Sequence, residues 1–220
     1  MNSPQLSSRT ANLHSSPIRE ILSVIDRPGM ISFAGGLPAS DSFPQLSLAD
    51  MPQSWLQYGP SEGEPALRQR LAQELQALGI HCDAEQVLIL SGSQQGIDLV
   101  GKLFIDQGTA VALESPTYLA ALRVFRFYGV SAVTLEPSKP AKSFASAQRR
   151  VAFAYVIPTF QNPTGRCWSG AERQALADAA DESGIPVFED DPYRDLVYDA
   201  CDRTPICTAI ESVSGSRSNN

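Results

Sequence analysis

The chain has 220 residues, 43% of them hydrophobic and 19% charged, enough apolar content to bury a core in one large domain or two small ones. Its net charge of −7 leaves no basic stripe for neutralising phosphates and argues against nucleic acid as a partner. Cys82, Cys167, Cys201 and Cys207 form no CxxC pair, no segment approaches transmembrane length and the N-terminus lacks an apolar leader core, so reduced thiols in a cytoplasmic protein are expected, with no zinc site, disulfide framework or membrane partner.

In chain order, residues 1–16 are rich in Ser, Asn and Gln and read as a flexible arm. Pro17 to Leu22 predicts a short amphipathic helix, and residues 31–44, with Gly35, Gly36, Pro38 and Pro44, a looping segment. Leu67, Leu71, Leu75 and Leu78 recur at helical spacing across Glu64 to Leu78, with Gly79 placed to cap the C-terminus. Strand and helix then alternate. Strands are expected over Val87 to Leu90, Ala110 to Leu113, Val130 to Leu135, Val151 to Val156 and Ile185 to Phe188; helices over Gln94 to Phe104, Leu119 to Tyr128 and from a Ser169–Glu172 capping box to about Ser183. Residues 136–150 read as polar and irregular, and Glu211 to Asn220 as a disordered tail. The expected fold class is α/β, a mostly parallel sheet with flanking helices.

The residues suited to chemistry cluster where these strands end. In open α/β sheets, ligands sit outside the carboxyl ends of strands. The run from Ile157 through Asn162-Pro163 to Gly165 follows one strand, and Glu189-Asp190-Asp191-Pro192-Tyr193 follows the next, so an amide, a carboxylate and a phenol face one crevice. Ser91-Gly92-Ser93-Gln94-Gln95-Gly96 opens a helix after a strand, where small residues and unpaired N–H groups suit a phosphate, although many such turns are small for steric reasons alone. Tyr118, following Glu114-Ser115-Pro116-Thr117, is either a packing aromatic or a flat surface for a flat ligand.

Taken together these motifs resemble the class I and II aminotransferases, pyridoxal-phosphate enzymes of fold type I, from about Ser16 to about Asp202. The resemblance implies that the cofactor, pyridoxal 5'-phosphate, has its phosphate held by Ser93 and Gln94 and its ring stacked on Tyr118. It assigns the phenolic oxygen to Asn162 and Tyr193, and the protonated ring nitrogen to Asp190, three residues before the tyrosine. A carboxylate there keeps the ring an effective electron sink. Gly36, in Phe33-Ala34-Gly35-Gly36-Leu37-Pro38, would approach the substrate carboxylate, and Tyr58 would reach the cofactor phosphate of a partner subunit in a homodimer. Arg19 either contacts a distal substrate group or is an exposed surface arginine. The motifs favour the subgroup of 2-aminoadipate aminotransferases and the aminotransferase-like halves of some bacterial regulators; no winged-helix segment precedes them here, which removes the DNA-binding part of the regulator reading. The implied reaction transfers an amino group from an amino acid to a 2-oxo acid.

One departure governs the activity expected of these 220 residues. The only lysines are Lys102, Lys139 and Lys142, and none follows the aspartate motif, where the family carries its Schiff-base lysine. Residues 17–210 are therefore expected to be a truncated major-domain portion lacking that lysine and the C-terminal small domain. The chain alone is expected to be inactive, with a non-catalytic cofactor- or partner-binding remnant as the alternative.

Overall fold

The computed structural model describes residues 5–13, 27–31, 36–45, 47, 49 and 51–208. The predicted helix over Pro17 to Leu22, Arg19 within it, and the tail from Glu211 lie outside the described residues.

Four parallel strands form the sheet: β1 (Ala110–Leu113), β2 (Ser131–Thr134), β3 (Val151–Val156) and β4 (Val187–Glu189), in the order β2-β1-β3-β4. Among the described residues five α-helices accompany them: α1 (Pro65–Ala77), α2 (Ser93–Phe104), α3 (Leu119–Phe127), α4 (Pro140–Ala145) and α5 (Gly170–Ser183). The α/β class expected from the alternation is the one observed. From β1 the chain runs through α3 to β2 on one side, and from β3 through α5 to β4 on the other. The strand order thus reverses between β1 and β3, which makes the carboxyl ends of those two strands the place where an open α/β sheet forms a crevice.

Each face of the sheet has its own core. Val111, Leu113, Phe153, Tyr155 and Ile157 pack with Ile97, Ala121 and Phe125 of α2 and α3. Phe125 meets Phe153 and Tyr155 edge-on, with ring centroids 5.5 Å apart in both pairs, the arrangement that the ring quadrupole favours. On the opposite face Ala110, Ala112, Ala154 and Val156 pack with Leu176 and Ala177 of α5 and Phe144 of α4. Val151 belongs to this second core although it is an odd-numbered residue like Phe153. A bulge explains this: Ala110 pairs with Val151 but Ala112 with Ala154, so β3 spends one extra residue and the side chains before it change face.

The capping signals act as expected. Ser169 accepts from the Glu172 N–H while the Glu172 carboxylate accepts from Ser169, closing the capping box of α5. Gly79, at φ 85°, follows the last turn of α1 and donates to the Gln76 carbonyl, with Ile80 donating to Leu75, so the left-handed residue at this helix end is the one that bears no Cβ penalty.

Three expectations require correction. Val87 to Leu90 is extended but pairs with no strand among the described residues. The Ile89 N–H donates instead to the Glu62 carbonyl, and Leu88 is half-exposed, because an apolar run becomes a buried strand only where a neighbour supplies a ladder. The helix expected from the leucine spacing is present as α1, with Arg68 and Ala72 its buried residues and Leu67 exposed. Residues 136–150 contain α4, which Pro140 opens and buried Phe144 anchors, with the Ser143 hydroxyl accepting from the Glu136 N–H. The last strand starts at Val187 rather than Ile185: Ile185 closes α5 by donating to the Ala180 carbonyl, and Pro186 has no N–H to give to the ladder.

Candidate functional site

The loops after β1, β3 and β4 meet at one rim of the sheet. Gln161, almost fully buried, stitches two of them together. Its side-chain amide donates to the Pro116 carbonyl (2.9 Å), and its Oε1 accepts from the Thr164 N–H (2.9 Å) and hydroxyl (2.7 Å). Its backbone N–H donates to the Arg166 carbonyl, and Phe160 before it sits at φ 51°. A left-handed phenylalanine costs roughly 1–2 kcal/mol and persists only where the surroundings over-determine it. Here the bonds around Gln161 do so, and they present Asn162 at the crevice.

Asn162 Nδ2 donates to the Tyr193 hydroxyl at 3.2 Å, across the gap between the loops after β3 and β4. Asp190 immediately follows β4, and its backbone N–H continues the ladder to the Val156 carbonyl. Its Oδ2 accepts from the Tyr155 hydroxyl of β3 at 2.7 Å. On the third loop, the Tyr118 hydroxyl accepts from Gln94 Nε2 at 3.4 Å, linking the start of α2 to the start of α3. The structure therefore brings Gln94, Tyr118, Asn162, Asp190 and Tyr193 to one rim. Ser93 is the first residue of α2 behind Gly92, whose φ of 91° turns the chain into the helix. The first N–H groups of such a helix lack intrahelical partners and face outward.

Electrostatics support this grouping. Burial, reinforced by the nearby Asp191 carboxylate, pushes the Asp190 carboxyl above the usual carboxylate range against the hydrogen bond from Tyr155, which lowers it. Tyr118 is also raised, chiefly by burial and next by the proximity of Tyr193 and Asp190. Tyr155, buried and facing Asp190, is raised furthest and stays a protonated donor at any physiological pH. A cation placed against Asp190 would reverse the carboxyl's shift.

Two expected residues are not part of this cluster. Tyr58 is 99% exposed beyond the short 3-10 turn at Gln53–Leu56, its backbone N–H donating to the Gln57 side chain. Gly36 is exposed at φ 58° with open space around it.

Motif reading missed the supports beneath the rim. Glu114, at the end of β1, accepts from the Ile157 N–H (2.8 Å) and from Trp168 Nε1 (2.9 Å), and burial raises its pKa. The buried Arg173 of α5 donates to the carbonyls of Pro158 (2.8 Å), Asp202 (2.8 Å) and Thr204 (2.9 Å) and to Thr159 Oγ1 (3.1 Å), and pairs with Glu189 at 3.6 Å. A charged residue inside a helix normally reads as solvent-facing; this one finds its acceptors in the loop after β3, in Glu189 of β4 and in residues 202–204. Tyr155 reads as a core aromatic, and its hydroxyl finds a carboxylate only because β4 lies beside β3.

The class I and II aminotransferase family matches residues 38–217. The 2-aminoadipate transaminase of Thermus thermophilus is 40% identical over 199 residues, covering 84% of this chain and 49% of that protein. Among solved structures, an α-aminoadipate aminotransferase from the same species, complexed with N-(5'-phosphopyridoxyl)-L-leucine, superposes with a TM-score of 0.79 at 36% identity, covering 96% of this chain and 55% of that one. The kynurenine aminotransferase of Pyrococcus horikoshii gives a TM-score of 0.79 at 33% identity, covering 92% and 55%. The chain spans about half the length of these relatives. With the family matched over most of its residues and the parallel sheet and rim in place, the chain belongs to the class I and II aminotransferases.

Proposed function

We propose that this chain forms the cofactor-holding front of a pyridoxal-phosphate-dependent aminotransferase that passes an amino group between an amino acid and a 2-oxo acid. The observation that carries the reading is the Asn162–Tyr193 contact at 3.2 Å, with Asp190 on the same rim backed by Tyr155. The residues fit the group. Asn162 Nδ2 and the Tyr193 hydroxyl are adjacent donors for one phenolic oxygen, and the part-buried Asp190 carboxyl suits a protonated ring nitrogen. Tyr118 offers a ring face, and the outward N–H groups at Ser93 and Gln94 suit a phosphate. When bound, pyridoxal phosphate supplies an electron sink for a carbanion formed at the amino acid.

What these side chains do is hold, orient and fix protonation. Tyr155 keeps Asp190 aimed along one direction, and Gln161 keeps Asn162 in place. A lysine at the rim is not among the described residues: Lys102 lies in the last turn of α2 and ion-pairs with Asp98, and Lys139 ion-pairs with Glu136 beside α4. The chemistry available to these residues is therefore cofactor binding. We further assign residues 17–210 to the major domain, Gly36 and Arg19 to the substrate side, and the cytoplasm as the compartment. The near-complete exposure of Tyr58 supports its reaching the cofactor phosphate of a second copy in a homodimer.

Titration of the chain with pyridoxal phosphate, followed by cofactor absorbance and quenching of intrinsic fluorescence, tests the reading. Asn162→Ala and Tyr193→Phe are each expected to weaken binding roughly tenfold, the equivalent of about 1.4 kcal/mol for one lost hydrogen bond in a part-buried site. Binding unaffected by both substitutions would place the cofactor elsewhere and overturn the assignment.

A further inference from the structure

We propose that Cys167 and Cys201 are a reversible dithiol–disulfide pair that clamps the loop after β3 to the segment after β4. Both thiols are reduced in the structure and both are partly exposed, within reach of a small oxidant.

The geometry rests on Arg173. Each cysteine immediately precedes a residue whose carbonyl this one guanidinium binds: Trp168 at 3.4 Å from Nε and Asp202 at 2.8 Å from Nη2. Two backbone segments 34 positions apart in sequence are thereby held against the same planar group. Their closeness shows again at Gly170, where an added Cβ would stand 2.7 Å from Asp202 Oδ2. Between these anchors the neighbouring Cys167 thiol is the largest cause holding the Cys201 thiol above its ordinary range. A Cys201 thiol held protonated leaves Cys167 to attack first.

The chemistry balances with a low-molecular-weight disulfide, such as glutathione disulfide, as the oxidant. The Cys167 thiolate attacks one sulfur of that disulfide, forming a mixed disulfide and expelling one glutathione thiolate. Cys201 then loses its proton, and its sulfur attacks Cys167 Sγ, forming the intrachain bond and releasing the second glutathione. Two protein thiols lose two protons and two electrons, and one glutathione disulfide becomes two glutathione thiols. The ring so closed contains Asp190 and Tyr193, and Asn162 lies on the loop just outside it. Oxidation therefore restrains two of the three loops that form the rim, whatever ligand occupies it.

The test incubates the folded 220-residue chain in glutathione redox buffers, blocks remaining thiols with an alkylating reagent, and maps peptides by mass spectrometry. A parallel sample is oxidised in urea. Under native conditions the Cys167–Cys201 cross-link, lighter by two hydrogens, is expected as the dominant product. In urea, pairing should scatter among all four cysteines. Hydrogen exchange should slow in residues 157–169 and 190–205 of the oxidised chain, and this slowing should be absent in Cys201→Ser, which should instead collect glutathione at Cys167. Stable glutathione adducts on Cys167 and Cys201 without the cross-link, or the same distribution of products in native buffer and urea, would overturn the proposal. The native-against-urea comparison needs no variant, so a misfolded Cys201→Ser does not remove the test.

Discussion

Replacing Arg173 by methionine, which keeps most of the side-chain volume and removes the charge, should be among the most damaging single changes in the protein. The guanidinium is buried and serves Pro158, Thr159, Trp168, Asp202, Thr204 and the Glu189 carboxylate. Glu189 Oε1 has no hydrogen bond, only the ion pair at 3.6 Å, so the substitution strands this buried oxygen of a part-buried carboxylate as well as several carbonyls. Breaking a buried pair from one side costs about 3–5 kcal/mol. With a slope of about 2–3 kcal/mol per molar urea for a chain of this size, the unfolding midpoint should fall by roughly 1–2 M. Acidity supplies an internal check. Burial already holds the Glu189 carboxyl above its ordinary 4.5, and the hydrogen bond from the Ile206 N–H and then the nearby Arg173 pull it partly back down. A carboxyl raised in the folded state penalises folding above its folded value and stops doing so below 4.5, so its cost fades as pH falls through that window. Losing the arginine raises the folded value further, so the variant should recover more stability on acidification than the parent. Adding Glu189→Leu to the variant should restore part of the loss at neutral pH. The assay is urea unfolding followed by tryptophan fluorescence and circular dichroism at several pH values. A loss below about 1 kcal/mol, or a deficit indifferent to pH, would refute the account of Glu189 as a stranded charge.

Two further outcomes are expected. Tyr155→Phe removes the donor that lowers the Asp190 carboxyl, so a raised carboxyl rises further; by infrared or NMR titration its protonation should move to higher pH, and pyridoxal phosphate should bind several-fold more weakly. An unmoved titration would show that burial alone sets Asp190. Borohydride reduction of the chain mixed with pyridoxal phosphate should give no single stoichiometric pyridoxyl-lysine: Lys102 lies about 14 Å along α2 from Ser93 at a rise of about 1.5 Å per residue, and Lys139 is tied to Glu136. A unique adduct at Lys102, Lys139 or Lys142, accompanied by turnover of aminoadipate and 2-oxoglutarate, would mean that these residues hold the ring differently.

Short-range chemistry was legible in the sequence. The capping box at Ser169–Glu172, the glycine after α1 and the runs of β1 and β3 are decided by side chains and dihedral preferences within a few residues, so periodicity located them. That Asn162, Asp190 and Tyr193 share one rim was legible too, because all three lie in the loops that follow β3 and β4. Elements that depend on a distant partner were not. Val87 to Leu90 has the composition of a buried strand but bonds to the Glu62 carbonyl and the Arg68 guanidinium rather than to a strand, since a ladder needs two strands and the sequence names one. Phe144 makes a helix of a polar stretch because a core pocket beneath α5 receives it. The site's supports belong to the same class. Glu114 reaching Trp168, Arg173 reaching residues 202–204 and Tyr155 reaching Asp190 each join positions far apart in the chain. A buried charge or hydroxyl is stable only with its partner present, and the strand order β2-β1-β3-β4, a property of the whole sheet, is what brings each partner there.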